Sequence, residues 1–111
     1  MTFNCDLTDS YEQLIAVSQK MLHSGHYEVA FHALQAALHC AEDLKDQQRL
    51  ASVEQQAKTQ RDFINATAPE HRMSTQASVN RGGTNLYDSL IRQARVHVNQ
   101  IKLAQRKASL G

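Results

Sequence analysis

The sequence has little of what a turn-rich or disulfide-linked fold needs. Its 111 residues include four glycines, one proline, two cysteines and no tryptophan, and aromatic residues make up 5%. A β-sandwich or barrel has a turn about every 8–12 residues, so this scarcity of turn formers excludes those folds. Cys5 and Cys40 form neither a CxxC pair nor a zinc-binding pattern, and we expect both to be reduced thiols.

Long apolar runs are missing as well. No stretch approaches the roughly 20 residues that cross a bilayer as a helix. The first residues carry neither the basic segment nor the apolar segment of a signal peptide. We therefore expect a cytoplasmic protein that makes no contact with a membrane.

The net charge is only +1, which excludes bulk electrostatic attraction to nucleic acid or to a membrane. This balance hides an asymmetry along the chain. Residues 1–68 carry 5 Lys or Arg and 9 Asp or Glu, whereas residues 84–111 carry 5 Lys or Arg and one acid, Asp88. The acidic first part and the basic last part can attract each other, within a chain or between chains. The alternative is that both are ordinary solvated surfaces.

Abundant Ala, Gln, Leu and Lys favour helix, and the apolar spacing predicts an all-α fold with four helices. The first helix is expected to begin near Asp9, where either Asp9 with Glu12 or Ser10 with Gln13 makes a capping box, and to end before Gly25. The second is expected over residues 26–43. It is apolar on two sides, which predicts packing between two neighbours in a three-helix arrangement.

The third helix is predicted over residues 47–67, with Asp46 as its N-cap and Pro69 after its end. Residues 69–84 are polar and aperiodic, and we interpret them as a flexible linker. An amphipathic fourth helix is predicted over residues 85–108. The expected organisation is a flexible N-terminus (1–8), a three-helix domain (9–68), the linker (69–84) and the C-terminal helix (85–108).

The first two predicted helices carry a spaced set of apolar and small residues around a glycine turn. These residues are Leu14, Met21, Gly25, Tyr27, Ala30, Leu34 and Ala37. The set resembles a tetratricopeptide repeat, a family of antiparallel helical hairpins. The sequence departs from the family pattern at Leu14, where the family has an aromatic residue, and at Ser18, where it has glycine.

The resemblance covers residues 9–46 and partly extends to residue 67, so the third helix would open a second repeat. Residues 59–61 lack the glycine and the aromatic residue that the next turn of such a repeat requires. The resemblance implies a repeat-like hairpin that serves protein–protein interaction. An unrelated three- or four-helix bundle is the alternative fold.

A repeat of this kind buries its face only against neighbouring units, and about three units are normally needed. The chain has about one and a half. The third helix must therefore be covered by the fourth helix folded back, by a second copy of the chain or by another protein. Its apolar series is also interrupted at Gln60 or Arg61, which suggests a surface that is partly solvated or awaits a partner.

We therefore predict a non-catalytic protein–protein interaction module, an adaptor or regulatory subunit that forms oligomers. Apolar contact residues are predicted on the third and fourth helices, beside a stripe of basic residues on the fourth. The predicted partner-binding residues are Leu50, Val53, Ala57, Ile64, Leu90, Ile91, Arg92, Arg95, Val98, Ile101, Lys102 and Arg106.

Two other classes of function stay open. The surroundings of His32 resemble those of a phosphotransfer histidine on a helical bundle, without the Lys and Gly that usually follow such a histidine. A nucleic-acid-binding protein would use Arg92, Arg95, Lys102 and Arg106. This third class is disfavoured by the near-neutral charge.

No nucleophile elbow, phosphate-binding loop, HExxH or zinc-finger spacing occurs in the sequence. His32 and His39 lie about two helical turns, or ~10 Å, apart, which is too far for both to hold one metal ion. His23 and His26 flank the glycine turn without an acid or a thiol to complete a ligand set. We therefore expect no enzymatic activity, no cofactor and no metal site.

Overall fold

The computed structural model describes residues 6–110, and within this range the chain forms five α-helices and no β-strand. The helices are α1 (Leu7–His23), α2 (Tyr27–Leu44), α3 (Gln47–Thr67), α4 (Thr75–Asn80) and α5 (Leu86–Leu110). The predicted all-α fold is therefore confirmed. Most of the predicted flexible N-terminus, residues 1–5, lies outside the described residues.

α1 and α2 form a packed helical hairpin around a tight turn. Gly25 adopts a left-handed conformation with φ of +82°, which a residue without a Cβ tolerates best. The His26 N–H donates to the Met21 carbonyl at 2.9 Å, so the turn closes directly onto the last turn of α1. The predicted start of α1 was late, because Asp6 rather than Asp9 is the N-cap, accepting the Thr8 N–H at 2.9 Å.

α2 lies between α1 on one side and α3 and α5 on the other, as its two apolar faces predicted. Five of its side chains are completely inaccessible to solvent. These are Ala30, Leu34, Ala37, Leu38 and Ala41. The three alanines among them let neighbouring helices approach closely, and this explains why small residues recur along the centre of the fold.

A two-residue turn, Lys45 and Asp46, separates α2 from α3. Lys45 takes the left-handed conformation at the end of α2, and the Asp46 carboxylate caps α3 by accepting the Arg49 N–H at 3.0 Å. This hydrogen bond, reinforced by the Arg49 guanidinium, lowers the pKa of Asp46. The predicted cap and the predicted span of α3 are both confirmed.

α5 folds back along α3, so the molecule consists of the α1/α2 pair beside the α3/α5 pair. The inner face of α5 contributes Tyr87, Leu90, Ile91, Ala94 and Val98 to the core. α5 therefore covers α3 within the same chain. The sequence left three possible covers for α3: the fourth predicted helix, a second copy of the chain or another protein. In the structure the cover is the fourth predicted helix, which is α5.

The interpretation of residues 69–84 as a segment without structure is corrected by α4 and its surroundings. The Ser74 hydroxyl caps this helix by accepting the Ala77 N–H at 3.0 Å, and Ser78 donates to the Ser74 carbonyl at 2.8 Å. Ser74 and Ser78 are both buried. A segment of small polar residues lacks an apolar period, yet it is ordered by these local hydrogen bonds.

Asn85 ties this segment to the start of α5. Its Oδ1 accepts the Tyr87 N–H at 2.8 Å, while its Nδ2 donates to the Met73 carbonyl at 3.2 Å and to Thr75 Oγ1 at 3.0 Å. Thr75 is also held by Asn65 on α3, whose Oδ1 accepts the Thr75 N–H at 2.8 Å. The connection between α3 and α5 is thus anchored at both ends.

The interpretation of Gln60 as a solvated or partner-facing interruption is also corrected. Gln60 is 1% exposed and lies in a buried chain of hydrogen bonds. Tyr87 Oη donates to Gln60 Oε1 at 2.8 Å, and Gln60 Nε2 donates to Ser18 Oγ at 2.7 Å. Ser18 donates in turn to the Ala30 carbonyl at 2.6 Å. This network joins α5, α3, α1 and α2, which explains a glutamine at a core position.

Candidate protein-binding surface

The predicted contact residues of α3 lie in the core of the chain. Leu50, Val53, Ala57 and Ile64 are all 0% exposed. They belong to the same cluster as the apolar residues of α5. In this structure these four residues pack against other residues of the same chain.

The predicted apolar contact residues of α5 face the same core. Leu90, Ile91 and Val98 are buried, and Ile101 is half-buried at its edge. The sequence placed these residues correctly on one apolar face of a helix. Which chain covers that face depends on the path of residues 68–85, which the apolar pattern does not encode.

The predicted basic residues of α5 separate into two groups. Arg95 donates to Glu54 on α3 at 3.1 Å, and Lys58 reaches the same carboxylate at 3.1 Å. Burial raises the pKa of Glu54, but the bonds from Lys58 and Arg95 together outweigh it and leave the pKa lowered. Arg95 therefore helps to hold α5 against α3, in addition to any role at a surface.

Arg92, Lys102 and Arg106 form the second group. All three are exposed, and the residues that the structure describes offer them no hydrogen bond or ion pair. Lys107, which the sequence analysis did not select, shares both properties. The C-terminal half of α5 thus presents positive charge that the rest of the described chain does not neutralise.

The end of α5 extends beyond the body of the molecule. Every residue from Lys102 to Leu110 is exposed, while the helix continues to Leu110. Leu103 is 52% exposed and Leu110 is 89% exposed. Val96, seven residues or about two helical turns before Leu103, is 47% exposed. Because neither leucine is buried by the rest of the chain, neither contributes hydrophobic stabilisation to the fold.

We name this surface the α5 outer stripe and define it by Val96, Leu103 and Leu110. The sequence analysis missed these three residues because they lie off the main apolar seam. Their spacing of seven residues was the pattern that could have revealed them, since residues seven apart share one face of a helix.

A shallow groove lies between the end of α2, the start of α3 and the middle of α5. His97 Nε2 lies 3.2 Å from one Glu42 carboxylate oxygen, and His39 Nδ1 lies 3.5 Å from the other. Lys45 and Gln100 also line this groove. Apolar side chains, Leu50, Ile101 and Ala104, complete the lining, and no Ser, Thr or Cys is part of it. Within residues 6–110 no three His, Cys, Asp or Glu side chains are grouped to hold a metal ion.

The other groups with chemical potential are dispersed. His32 is exposed on α2, with its ring edge-on to Phe31 at 5.4 Å between centroids. Cys40 is half-buried, and its burial, together with the nearby Asp43, raises the pKa of its thiol. A raised pKa keeps the thiol protonated and unreactive at neutral pH. Cys5 lies outside the described residues.

None of the described helices is both long enough and apolar enough to cross a membrane. Comparison with protein-family models, with curated proteins and with solved structures gives no match to this chain.

Proposed function

We propose that the chain is a non-catalytic protein-interaction module of helical-repeat type, and that it binds its partner through the α5 outer stripe. The observation that carries this proposal is the extension of α5 beyond the body, with Leu103 and Leu110 exposed next to basic residues that have no partner in the described chain. Exposed apolar side chains aligned on one face are typical of interaction sites.

The hairpin supports the helical-repeat part of the proposal. Ser18 on α1 donates to the Ala30 carbonyl on α2 at 2.6 Å, and Gly25 makes the turn between the two helices. The tetratricopeptide repeat also uses small residues at these positions. α3 and α5 form a second pair beside the first. A scaffold of stacked helix pairs presents rigid surfaces, which suits an adaptor or a regulatory subunit.

Packing of α5 on α3 changes the reason for expecting oligomers. The sequence argument required a covering for α3, and α5 of the same chain supplies one. Self-association stays a prediction, as does a cytoplasmic location. An oligomer would now have to form through exposed surfaces such as the α5 outer stripe.

Photo-cross-linking tests the proposal. A photoreactive amino acid replaces Leu103, and in a matched control it replaces Gln13, which is exposed on α1. In extracts of the source cells, we expect discrete protein adducts at position 103 that disappear when Leu110 is also changed to Ser. Position 13 should give none of these adducts.

Each alternative has its own outcome in this experiment. An adduct with the mass of two chains identifies self-association. An adduct that a nuclease removes identifies nucleic acid and contradicts the proposal, as does the absence of any adduct specific to position 103. Phosphotransfer through His32 is tested separately, because a phosphodonor should then label the chain and fail to label a His32→Gln variant.

A further inference from the structure

The α5 outer stripe has the geometry of one half of a helix–helix contact. Seven residues advance a helix by about 10.5 Å, so Val96, Leu103 and Leu110 form a line roughly 21 Å long. A seven-residue repeat is the spacing at which one helix meets another along a continuous seam. The occupant that matches this line is a second helix, since a loop or a globular surface presents no regular repeat.

The charges beside the stripe indicate which charge the partner helix carries. Arg92, Arg106 and Lys107 lie beside or within the stripe and are exposed. After Asp88, the sequence contains no further Asp or Glu to its end. A partner helix with carboxylates flanking its apolar residues would form charge pairs across the seam, whereas a basic helix would be repelled.

The same charges disfavour a second copy of α5 as the occupant. In a seam built on the stripe, the positions three residues after Val96 and Leu103 are Asn99 and Arg106, and Arg92 lies one turn before Val96 on the same face. Pairing two copies would bring arginines close to one another, and like charges in such positions act against pairing. The partner is therefore a different helix.

Nucleic acid fits the surface less well than an acidic helix. Base stacking needs exposed aromatic rings, yet in residues 6–110 every Tyr and Phe is buried or half-buried. The stripe would also place two leucines against a charged backbone. A phosphate ligand explains the arginines but leaves Leu103 and Leu110 unexplained.

We infer that the α5 outer stripe binds an acidic amphipathic helix of another protein. This inference rests on the proposed function and adds the chemistry of the partner. The apolar face of the partner helix packs on Val96, Leu103 and Leu110, and its flanking Glu or Asp side chains pair with Arg92, Arg106 and Lys107.

Nuclear magnetic resonance on the nitrogen-15-labelled full chain tests the inference. The probe is a synthetic helical peptide of three heptads, with Leu on one face and Glu at the flanking positions. In the control peptide, every Glu is Lys. We expect saturable shifts of backbone amides confined to residues 92–110 for the Glu peptide, with binding at least about tenfold weaker for the Lys peptide. Raising the salt concentration should weaken binding of the Glu peptide.

Two variants localise the contact. Leu103→Ser should weaken binding by about tenfold or more, because it removes an apolar side chain from the centre of the stripe. Leu86→Ser is the matched control, since Leu86 is similarly exposed at 49% but lies at the other end of α5. Its binding should be unchanged. Both positions are exposed, so both variants should fold.

Several results would overturn the inference. They are equal binding of the Glu and Lys peptides, shifts outside α5, no shift at about 1 mM peptide, or tighter binding of a single-stranded oligonucleotide at the same residues. Protein adducts at position 103 without binding of the Glu peptide would leave the proposed function standing and reject the acidic helix. Binding of the peptide without any adduct at position 103 would reject the proposed function, and with it the inference of a partner helix at this stripe.

Discussion

At the scale of single residues, the buried hydrogen bonds of Tyr87, Gln60 and Ser18 define how the four long helices fit together. Each donor points to the next acceptor, and the chain ends on the Ala30 carbonyl. Among the described residues, no buried side-chain polar atom lacks a partner. A network that is satisfied in only one arrangement opposes sliding of one helix along another.

Replacing Tyr87 by Phe tests this network. The ring can keep its edge-on contact with Phe31, at 5.1 Å between centroids, but Gln60 Oε1 loses its donor inside the core. We expect the free energy of unfolding to fall by about 1–3 kcal/mol, measured by urea denaturation followed by circular dichroism.

Tyr11→Phe is the matched control for that substitution. Its hydroxyl makes a longer, part-buried bond of 3.3 Å to the Arg49 carbonyl, so we expect a loss below about 1 kcal/mol. Equal losses for the two variants would show that the network around Gln60 adds nothing specific.

Asp46 links stability to pH. Because capping lowers its pKa in the folded state, the carboxylate stabilises the fold above the pKa of the unfolded chain, and this contribution is lost as the pH falls through the folded pKa. Asp46→Asn keeps a side-chain acceptor at the cap but removes the negative charge beside the α3 N-terminus and the Arg49 guanidinium, so it should lower the free energy of unfolding at pH 7 by about 0.3–1 kcal/mol. The difference from the unaltered chain should shrink at about pH 2.5.

Asp43→Asn is the control for Asp46, because Asp43 is exposed near the end of α2 and makes no hydrogen bond within residues 6–110. We expect it to cause no loss at pH 7. If the loss in free energy of unfolding caused by Asp46→Asn stayed constant from neutral to acidic pH, the ionised Asp46 carboxylate would not be its source.

At the scale of elements, the long helices could be predicted from the sequence and α4 could not. α3 matches its predicted span of 47–67, and α2 differs from its prediction by one residue at each end. These helices carry local information, namely an apolar period and caps. α4 has six residues, too few for a period, and it depends on Asn65 from a different helix.

Asn85→Asp tests the junction between α4 and α5. Aspartate still accepts the Tyr87 N–H, but it cannot donate to the Met73 carbonyl and to Thr75 as Asn85 does. We expect the free energy of unfolding to fall by about 1–3 kcal/mol, and amide hydrogen exchange at residues 73–80 to become faster. The exposed Asn80 supplies the control, since Asn80→Asp should change neither quantity. Unchanged exchange in the Asn85 variant would refute the anchoring role.

At the scale of the whole molecule, the division of α5 into a docked part and an extended part is the feature that matters for function. Up to Ile101 the helix contributes to the core, and from Lys102 onward every described residue is exposed. The docked part holds the second helix pair together. The extended part contributes nothing to the core and is available to a partner.

Ending the chain after Ile101 tests this division. We expect the melting temperature to change by less than about 4 °C, because no buried surface is lost. Leu90→Ala, at a site that is 1% exposed, should lower the free energy of unfolding by about 2–5 kcal/mol and therefore lower the melting temperature clearly. Thermal unfolding followed by circular dichroism compares the two. A truncation as damaging as Leu90→Ala would mean that residues 102–110 pack on the body.

Local sequence was enough to predict the four long helices, the Asp46 cap and the Gly25 turn, because each depends on residues within a few positions of one another. It also correctly predicted one apolar face for α5. The burial of Gln60 depends on hydrogen bonds to residues 27 and 42 positions away. The surface that covers the apolar face of α5, and the exposure of Leu103 and Leu110, likewise depend on contacts between residues far apart in the sequence. Those contacts arise only when the chain packs, and they place the candidate surface at the end of α5.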